Sequence, residues 1–150
     1  MRVALGLEYD GGAFNGWQLQ DGVPSVQGAL EAALREIAAH PVRVHCAGRT
    51  DTGVHASLQV VHFDTDAQRP ATAWVRGTNA HLPDQVAVLW AKEVDENFHA
   101  RFCATGRHYR YQLINRAVRT ALHAGRAGWY HRPLDVAKMD EAAQHLVGTH

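Results

Sequence analysis

The sequence predicts an α+β fold of the ferredoxin-like type, an antiparallel sheet with helices on one face, followed by the start of a second, similar half. Segments with the period of a strand or of a helix follow one another in the order strand, helix, strand, strand, helix, strand. A further strand and helix come after them in an acid-poor stretch. We therefore expect a first half over residues 1–96 and an incomplete second half over residues 97–150.

The first strand and first helix have clear boundaries. Apolar residues alternate with small or polar ones from Val3 to Tyr9, which predicts a half-buried strand that ends at Asp10-Gly11-Gly12. Ser25 is a good helix N-cap, and Pro41 follows the helix as a stop. Between them, one helical face carries apolar side chains: Val26, Ala29, Leu30, Ala33, Leu34 and Ile37.

Two further strands flank a polar loop. Alternation predicts strands over residues 42–46 and 58–63, and the glycine-containing segment from Gly48 to Ser57 connects them. A second helix is predicted over about residues 71–80, weakened by Gly77, and a fourth strand includes Val86, Val88 and Trp90.

The second half is predicted to begin with a strand and a helix. Residues 107–115 alternate, and Asp135 is placed to cap a helix with an apolar face. One strand and one helix cannot enclose a core, so this unit is expected to lean on the first or to be incomplete.

Composition favours a globular, cytoplasmic protein. Hydrophobic residues make up 46% and charged residues 20%, and no apolar run is long enough to cross a bilayer. The N-terminus lacks the pattern of a signal peptide, so no membrane partner is expected. Cys46 and Cys103 form no C-x-x-C pair, and the eleven histidines include no H-E-x-x-H motif, so neither a disulfide nor a metal is expected.

The net charge of zero conceals an uneven distribution. Residues 1–96 hold seven basic and twelve acidic side chains, whereas residues 97–134 hold seven arginines and no acid. Because a guanidinium binds phosphate oxygens in pairs, and aromatic residues are interleaved, this stretch indicates a polyanion contact. The alternative is a solvated face with no partner.

Asp51 is the only carboxylate between Val42 and Phe63, and the residues alone leave three interpretations of it. It is a turn aspartate that binds its own backbone, helped by Gly53. It belongs to a D-T-G triplet of the aspartic-protease kind, although Arg49 opposes the proton sharing that such a site needs. Or it is a nucleophile, kept ionised by Arg49, that forms a covalent intermediate.

The segment AGRTDTGVHA, residues 47–56, closely resembles the active-site loop of the tRNA pseudouridine synthase A family. Three other parts of the chain resemble that family in the same order: Glu8–Gly11 with Gly16–Gln18, Asn79–Pro83, and Phe98–Phe102 with Arg107–Tyr111. The departure in the loop is Thr52, where alanine is more usual, and it should be tolerated.

The resemblance implies an isomerase that converts uridine to pseudouridine in the tRNA anticodon stem-loop, without a metal or an organic cofactor, as a homodimer. It assigns Asp51 as the nucleophile, attacking either ribose C1′ or uracil C6. Tyr109 corresponds to the tyrosine that stacks on the target base, although its position alone also suits an ordinary strand aromatic. Arg49 is implied to hold the flipped nucleotide, and His55 to face the RNA or support the loop.

Arg101, Arg107 and Arg110 lie within the matching motifs and are the candidate phosphate contacts. The family's chain continues beyond residue 150 and there supplies a basic residue that pairs with the catalytic aspartate, so the isolated 150 residues are expected to be inactive. A different class of function stays open: an RNA-binding module, or inactive fragment, that keeps the fold without the reaction.

Overall fold

The computed structural model describes residues 1–150, which divide into two compact units, Met1–His108 and Tyr109–His150. The first unit holds one four-stranded sheet and two helices. Its elements are β1 (Arg2–Tyr9), α1 (Val26–Ala38), β2 (His45–Cys46), β3 (Ala56–Asp64), α2 (Thr78–His81) and β4 (Val86–Val94). The predicted order of strands and helices is therefore confirmed.

The sheet has the strand order β2-β3-β1-β4, and every neighbouring pair is antiparallel. On one face, Leu5 of β1 pairs with Val61 of β3, and both are fully buried with Leu30 and Leu34 of α1. Burying each such side chain contributes roughly 1.5–3 kcal/mol, which explains why the alternating pattern of β1 specifies its inward face.

Helix α1 begins where the sequence predicts. The Ser25 hydroxyl accepts a hydrogen bond from the Gly28 N–H at 3.1 Å, which satisfies one of the unpaired donors of the first turn. The helix ends at Ala39, whose φ of 60° is left-handed, and its N–H donates to the Arg35 carbonyl.

Strand β2 is shorter than the predicted segment of residues 42–46. The backbone of Val44 is bonded by helix side chains, since its N–H donates to Glu31 Oε1 at 2.9 Å and its carbonyl accepts from Gln27 Nε2 at 3.3 Å. Val44 is buried, as its apolar position predicts, but its peptide groups are satisfied by α1 and not by a strand.

The second helical segment includes a π-helical turn, Ala73–Gly77, directly before α2. Gly77 packs closely there, because a Cβ at this position would lie 2.7 Å from Ile37 Cδ1 of α1 and that side chain would have to shift. The predicted weak point of the helix is therefore where it approaches its neighbour.

The division between the units comes after His108, whereas the sequence predicted a boundary after residue 96. Residues between these points pack with the first unit, because the Ala100 N–H donates to His62 Nδ1 at 3.1 Å on β3. Arg2 of β1 also donates to the Phe98 carbonyl at 2.9 Å.

The second unit contains β5 (Leu113–Asn115), β6 (Gly128–Tyr130) and α3 (Val136–Gln144). The predicted strand of residues 107–115 is present only as β5, which pairs in parallel with β6. Strand pairing requires a neighbouring backbone, and residues 107–112 form no ladder in this chain. The cap of α3 is confirmed, since Asp135 Oδ1 accepts from the Lys138 N–H at 3.1 Å. No helix in either unit is long and apolar enough to span a membrane.

Candidate active site

The predicted catalytic loop connects β2 to β3 and presents polar side chains at the surface. Arg49, Asp51 and Thr52 are exposed, whereas His55 is half-buried at the start of β3. The loop backbone is fixed at several points by the first unit, and these anchors determine what the exposed side chains can do.

The first anchor is Gln59, a buried amide on the core side of β3. Its Oε1 accepts from the Gly48 N–H at 3.3 Å, and its Nε2 donates to the Gly48 carbonyl. One side chain therefore satisfies both peptide groups of Gly48, where the pairing between β2 and β3 has ended.

The second anchor is at Thr50, directly before Asp51. Its hydroxyl lies 2.8 Å from the hydroxyl of Tyr9, and its carbonyl accepts from the Trp17 N–H at 2.9 Å. Gly16, the neighbour of Trp17, has a φ of +85°, and a Cβ there would lie 2.7 Å from the Thr50 oxygen. Only glycine permits this approach without strain.

The third anchor follows Asp51. The Val54 N–H donates to the Asp51 carbonyl at 3.1 Å, which closes a turn in which Gly53 has a φ of +78°. Next, His55 Nδ1 lies 3.0 Å from the Gly11 nitrogen and 3.0 Å from Asp10 Oδ1. Asp51 therefore begins a turn, but the bond that closes the turn is made by its backbone carbonyl and not by its side chain, which is exposed.

Positive charge gathers at the start of the loop. Burial raises the pKa of the Cys46 thiol, and the nearby guanidinium groups of Arg49 and Arg101 oppose that rise. Arg107 donates to the Ala47 carbonyl through Nε at 3.1 Å and Nη2 at 2.7 Å, and to the Arg101 carbonyl at 3.2 Å. Three of the predicted arginines thus lie around residues 46–49.

The remaining predicted site residues belong to the second unit. Tyr109 and Arg110 are exposed there, with 74% of the surface of Tyr109 accessible. The first unit therefore assembles Asp51, Arg49, His55, Arg101 and Arg107, and the second unit carries the predicted stacking tyrosine. No group of three or more histidines, cysteines or carboxylates in the chain is arranged to hold a metal ion.

Sequence reasoning missed Tyr9 and Gln59 as loop anchors. A signal existed for Gln59, which is a polar residue among apolar ones on the core face of a predicted strand. For Tyr9 the only signal was its place in the matching segment Glu8–Gly11, because an aromatic ring at the inward position of a strand is otherwise ordinary core.

Comparison with known proteins finds similarity to tRNA pseudouridine synthases. The family model for tRNA pseudouridine synthase matches residues 7–103. Proteins named tRNA pseudouridine synthase A from Methylobacillus flagellatus and Thiobacillus denitrificans are each 61% identical over 150 residues, covering 100% of this chain and 58% of the relative. The protein of that name from Pseudomonas aeruginosa is 59% identical, covering 99% of this chain and 53% of the relative.

The chain therefore spans little more than half the length of these curated relatives. The residues that the family model matches include the end of β1, the loop with its anchors, and the segment that packs on His62. With a family model over most of its residues and relatives aligned over the whole of this chain, the chain belongs to the tRNA pseudouridine synthase family.

Proposed function

We propose that this chain is the N-terminal part of an enzyme that converts uridine to pseudouridine in the anticodon stem-loop of tRNA, with Asp51 as the nucleophile. The observation that carries the proposal is the exposed carboxylate of Asp51 on a loop whose preceding residues, Gly48 and Thr50, are held by buried polar groups. A nucleophile needs this combination of access and fixed position.

The reaction is an isomerisation, so no group is gained or lost overall. Asp51 attacks ribose C1′ or uracil C6 and forms a covalent bond, the N-glycosidic bond breaks, and the uracil turns so that C5 bonds to C1′. The bond to Asp51 breaks in the course of these steps, which regenerates the free carboxylate. The proton on C5 then leaves and N1 gains one. Because the base is detached part-way, it must be held by stacking, the role we propose for Tyr109.

Recognition of tRNA is proposed to depend on the arginines beside the loop. A target base must leave its stack, at a cost of a few kcal/mol, and contacts to neighbouring phosphates offset that cost. Arg49 and Arg101 are exposed near Cys46 and suit this role, and Arg110 is a further exposed candidate on the second unit. His55 is proposed to support the loop through Gly11 and Asp10.

The architecture is proposed to be a ferredoxin-like half followed by the start of a second half. The order βαββαβ and the strand order β2-β3-β1-β4 support the first part. In residues 109–150 only Thr120 is buried, so we expect the isolated 150 residues to show little turnover. A cytoplasmic homodimer is part of the same proposal.

The test uses the full-length protein and tRNA. Asp51→Asn should lower the rate of pseudouridine formation by roughly a thousandfold or more, as removal of a nucleophile does elsewhere. The tRNA dissociation constant should change little. Asp66→Asn, at an exposed carboxylate outside the loop, is the matched control and should keep wild-type turnover. Normal turnover by Asp51→Asn would refute the proposal, and a wild-type protein that binds tRNA without turnover would indicate an RNA-binding module instead.

A further inference from the structure

We propose that Tyr9 and Gln59 are positioning residues for the reaction: two buried polar side chains that fix the loop backbone so that Asp51 meets the substrate in a productive geometry. The inference rests on the proposed function, in which Asp51 is the nucleophile. Neither residue is placed to touch RNA, because only 4% of the surface of Tyr9 and 7% of that of Gln59 is exposed.

Gln59 continues the sheet where the sheet itself stops. The pairing of β2 with β3 ends at Cys46 opposite Val61, and one further bond joins the Ala47 N–H to the Val60 carbonyl at 2.9 Å. Beyond this point the carboxamide of Gln59 accepts from the N–H of Gly48 and donates to its carbonyl. The side-chain amide of Gln59 thus makes the two hydrogen bonds that a neighbouring strand residue would make. It holds the first part of the loop in a fixed position relative to β3.

Tyr9 connects Gln59 to Thr50, the next residue of the loop that is held by hydrogen bonds. Gln59 Nε2 lies 3.5 Å from the Tyr9 hydroxyl, at the limit of hydrogen bonding, and that hydroxyl lies 2.8 Å from Thr50 Oγ1. The backbone N–H of Trp17 also donates to the Thr50 carbonyl. Breaking a partly buried network of this kind leaves polar groups without partners, so it holds one geometry strongly.

Held and exposed residues alternate along the loop. Gly48 and Thr50 are bound by the network, whereas Arg49 and Asp51 are exposed. Holding the backbone of Gly48 and Thr50, on either side of Arg49 and directly before Asp51, restricts where these two exposed side chains can lie. A misplacement of about 1 Å at a reacting group reduces a rate by about a hundredfold. A network that holds Asp51 in position can therefore have a large effect on the reaction rate.

The experiment measures single-turnover rates at saturating tRNA, together with tRNA affinity and thermal stability, in the full-length enzyme. Tyr9→Phe and Thr50→Val each remove one partner of the hydroxyl pair, and each should lower the rate by about tenfold or more while the tRNA dissociation constant stays within about twofold. Thr50→Ser keeps the hydroxyl and should restore a rate near wild type. Because both changes break the same bond, the double variant should be no slower than the slower single variant.

Three results would overturn the inference. The first is an unchanged rate in Tyr9→Phe and Thr50→Val with only a lower melting temperature, which would make the pair purely structural. The second is equal rates for Thr50→Val and Thr50→Ser, a comparison that decides the question even if Tyr9→Phe does not fold. The third is a double variant whose losses multiply. If Asp51→Asn keeps turnover, the proposed function itself fails; if Asp51 is essential and these variants keep their rates, only the positioning role fails.

Discussion

The guanidinium of Arg107 donates two hydrogen bonds to the carbonyl oxygen of Ala47, from a position 60 residues later in the chain. Nη2 of the same group also donates to the Arg101 carbonyl. Ala47 lies at the beginning of the predicted catalytic loop, so this contact joins the segment after β4 to the start of that loop. Arg107 was predicted from the sequence as a phosphate contact, and its bonds to the protein add a structural role.

Replacing Arg107 should therefore reduce stability as well as RNA binding. Arg107→Ala is expected to lower the free energy of unfolding by about 1–2 kcal/mol, a value reduced from that of buried charged bonds because the side chain is exposed. Arg107→Lys should not restore it, since an ammonium lacks the planar fork. Urea denaturation measures the free energy of unfolding of both variants.

The matched control is Arg110→Ala, an exposed arginine of the same basic stretch in the second unit, which should change stability by less than about 0.5 kcal/mol. Equal stabilities of Arg107→Ala and the wild type would show that the carbonyl contacts contribute nothing.

Gly16 should be far less tolerant of alanine than Gly22. Both have positive φ, +85° and +77°, so both variants incur the conformational penalty of roughly 1–2 kcal/mol. At Gly16 the added Cβ also meets the Thr50 oxygen at 2.7 Å, whereas at Gly22 nothing lies within 4 Å. Gly16→Ala should therefore lose additional stability and slow the reaction, because the clash displaces the residue before Asp51. Similar losses of stability and rate in the two variants would rule out a steric effect at Thr50.

The sequence determines the regular elements better than their ends. β1 and α1 could be predicted because their apolar residues repeat with the period of a strand and of a helix, and the Ser25 cap is a local signal. β1 is nevertheless buried on both faces, and not half-buried as its alternation predicted. β2 could not be bounded, since Glu31 and Gln27 of α1 take over the backbone of Val44 through contacts that depend on the tertiary fold. The π-helical turn before α2 has the same origin, because Gly77 packs against Ile37 of another helix.

The residues of the candidate site could likewise be predicted only in part. Asp51 and Arg49 were selected as candidates through the resemblance of residues 47–56 to a family loop, because their residue types and spacing alone left three interpretations open. The anchors could not be predicted, since Tyr9 and Thr50 are 41 residues apart and their contact exists only after the sheet has formed. The strand predicted around Tyr109 is absent from the structure for a similar reason. Alternation of apolar and polar residues shows that a segment can pair in a sheet, but it does not supply the neighbouring strand.

His62 should make stability depend on pH in the mildly acidic range. Burial lowers its pKa to about 4, with the nearby charges of His99, Arg2 and His45 acting in the same direction and Asp64 opposing them. Below its ordinary pKa of about 6.5 the unfolded chain binds a proton that the folded chain excludes. The stability that neutral His62 contributes to the folded state is therefore complete above about pH 6.5. It decreases as the pH falls, and the decrease levels off near pH 4 after a total loss of at most about 3 kcal/mol.

The test compares urea unfolding at about pH 7 and about pH 5 in the wild type and in His62→Asn, whose amide oxygen can still accept from the Ala100 N–H. Between about pH 7 and about pH 5, His62→Asn should lose about 2 kcal/mol less stability than the wild type. His99, whose pKa burial also lowers, remains in both proteins and leaves a residual slope of the same sign. His81→Asn, at an exposed position, should behave as the wild type, and an unchanged slope in His62→Asn would assign the pH dependence elsewhere.

Arg101 should contribute to tRNA affinity mainly through charge. Its guanidinium carbon lies 5.9 Å from the centre of the Phe102 ring, and its side chain is exposed beside the loop, where a phosphate can reach it. Each phosphate contact releases counterions, so Arg101→Ala should flatten the slope of log affinity against log salt by about 0.7–0.9. Arg101→Lys, which keeps the charge, should preserve the slope, and Arg76→Ala, in the π-helical turn away from the loop, should leave it unchanged. If Arg101→Ala weakens binding equally at every salt concentration, Arg101 acts by supporting Phe102 or the Arg107 contact, because only the loss of a phosphate contact changes the number of ions released.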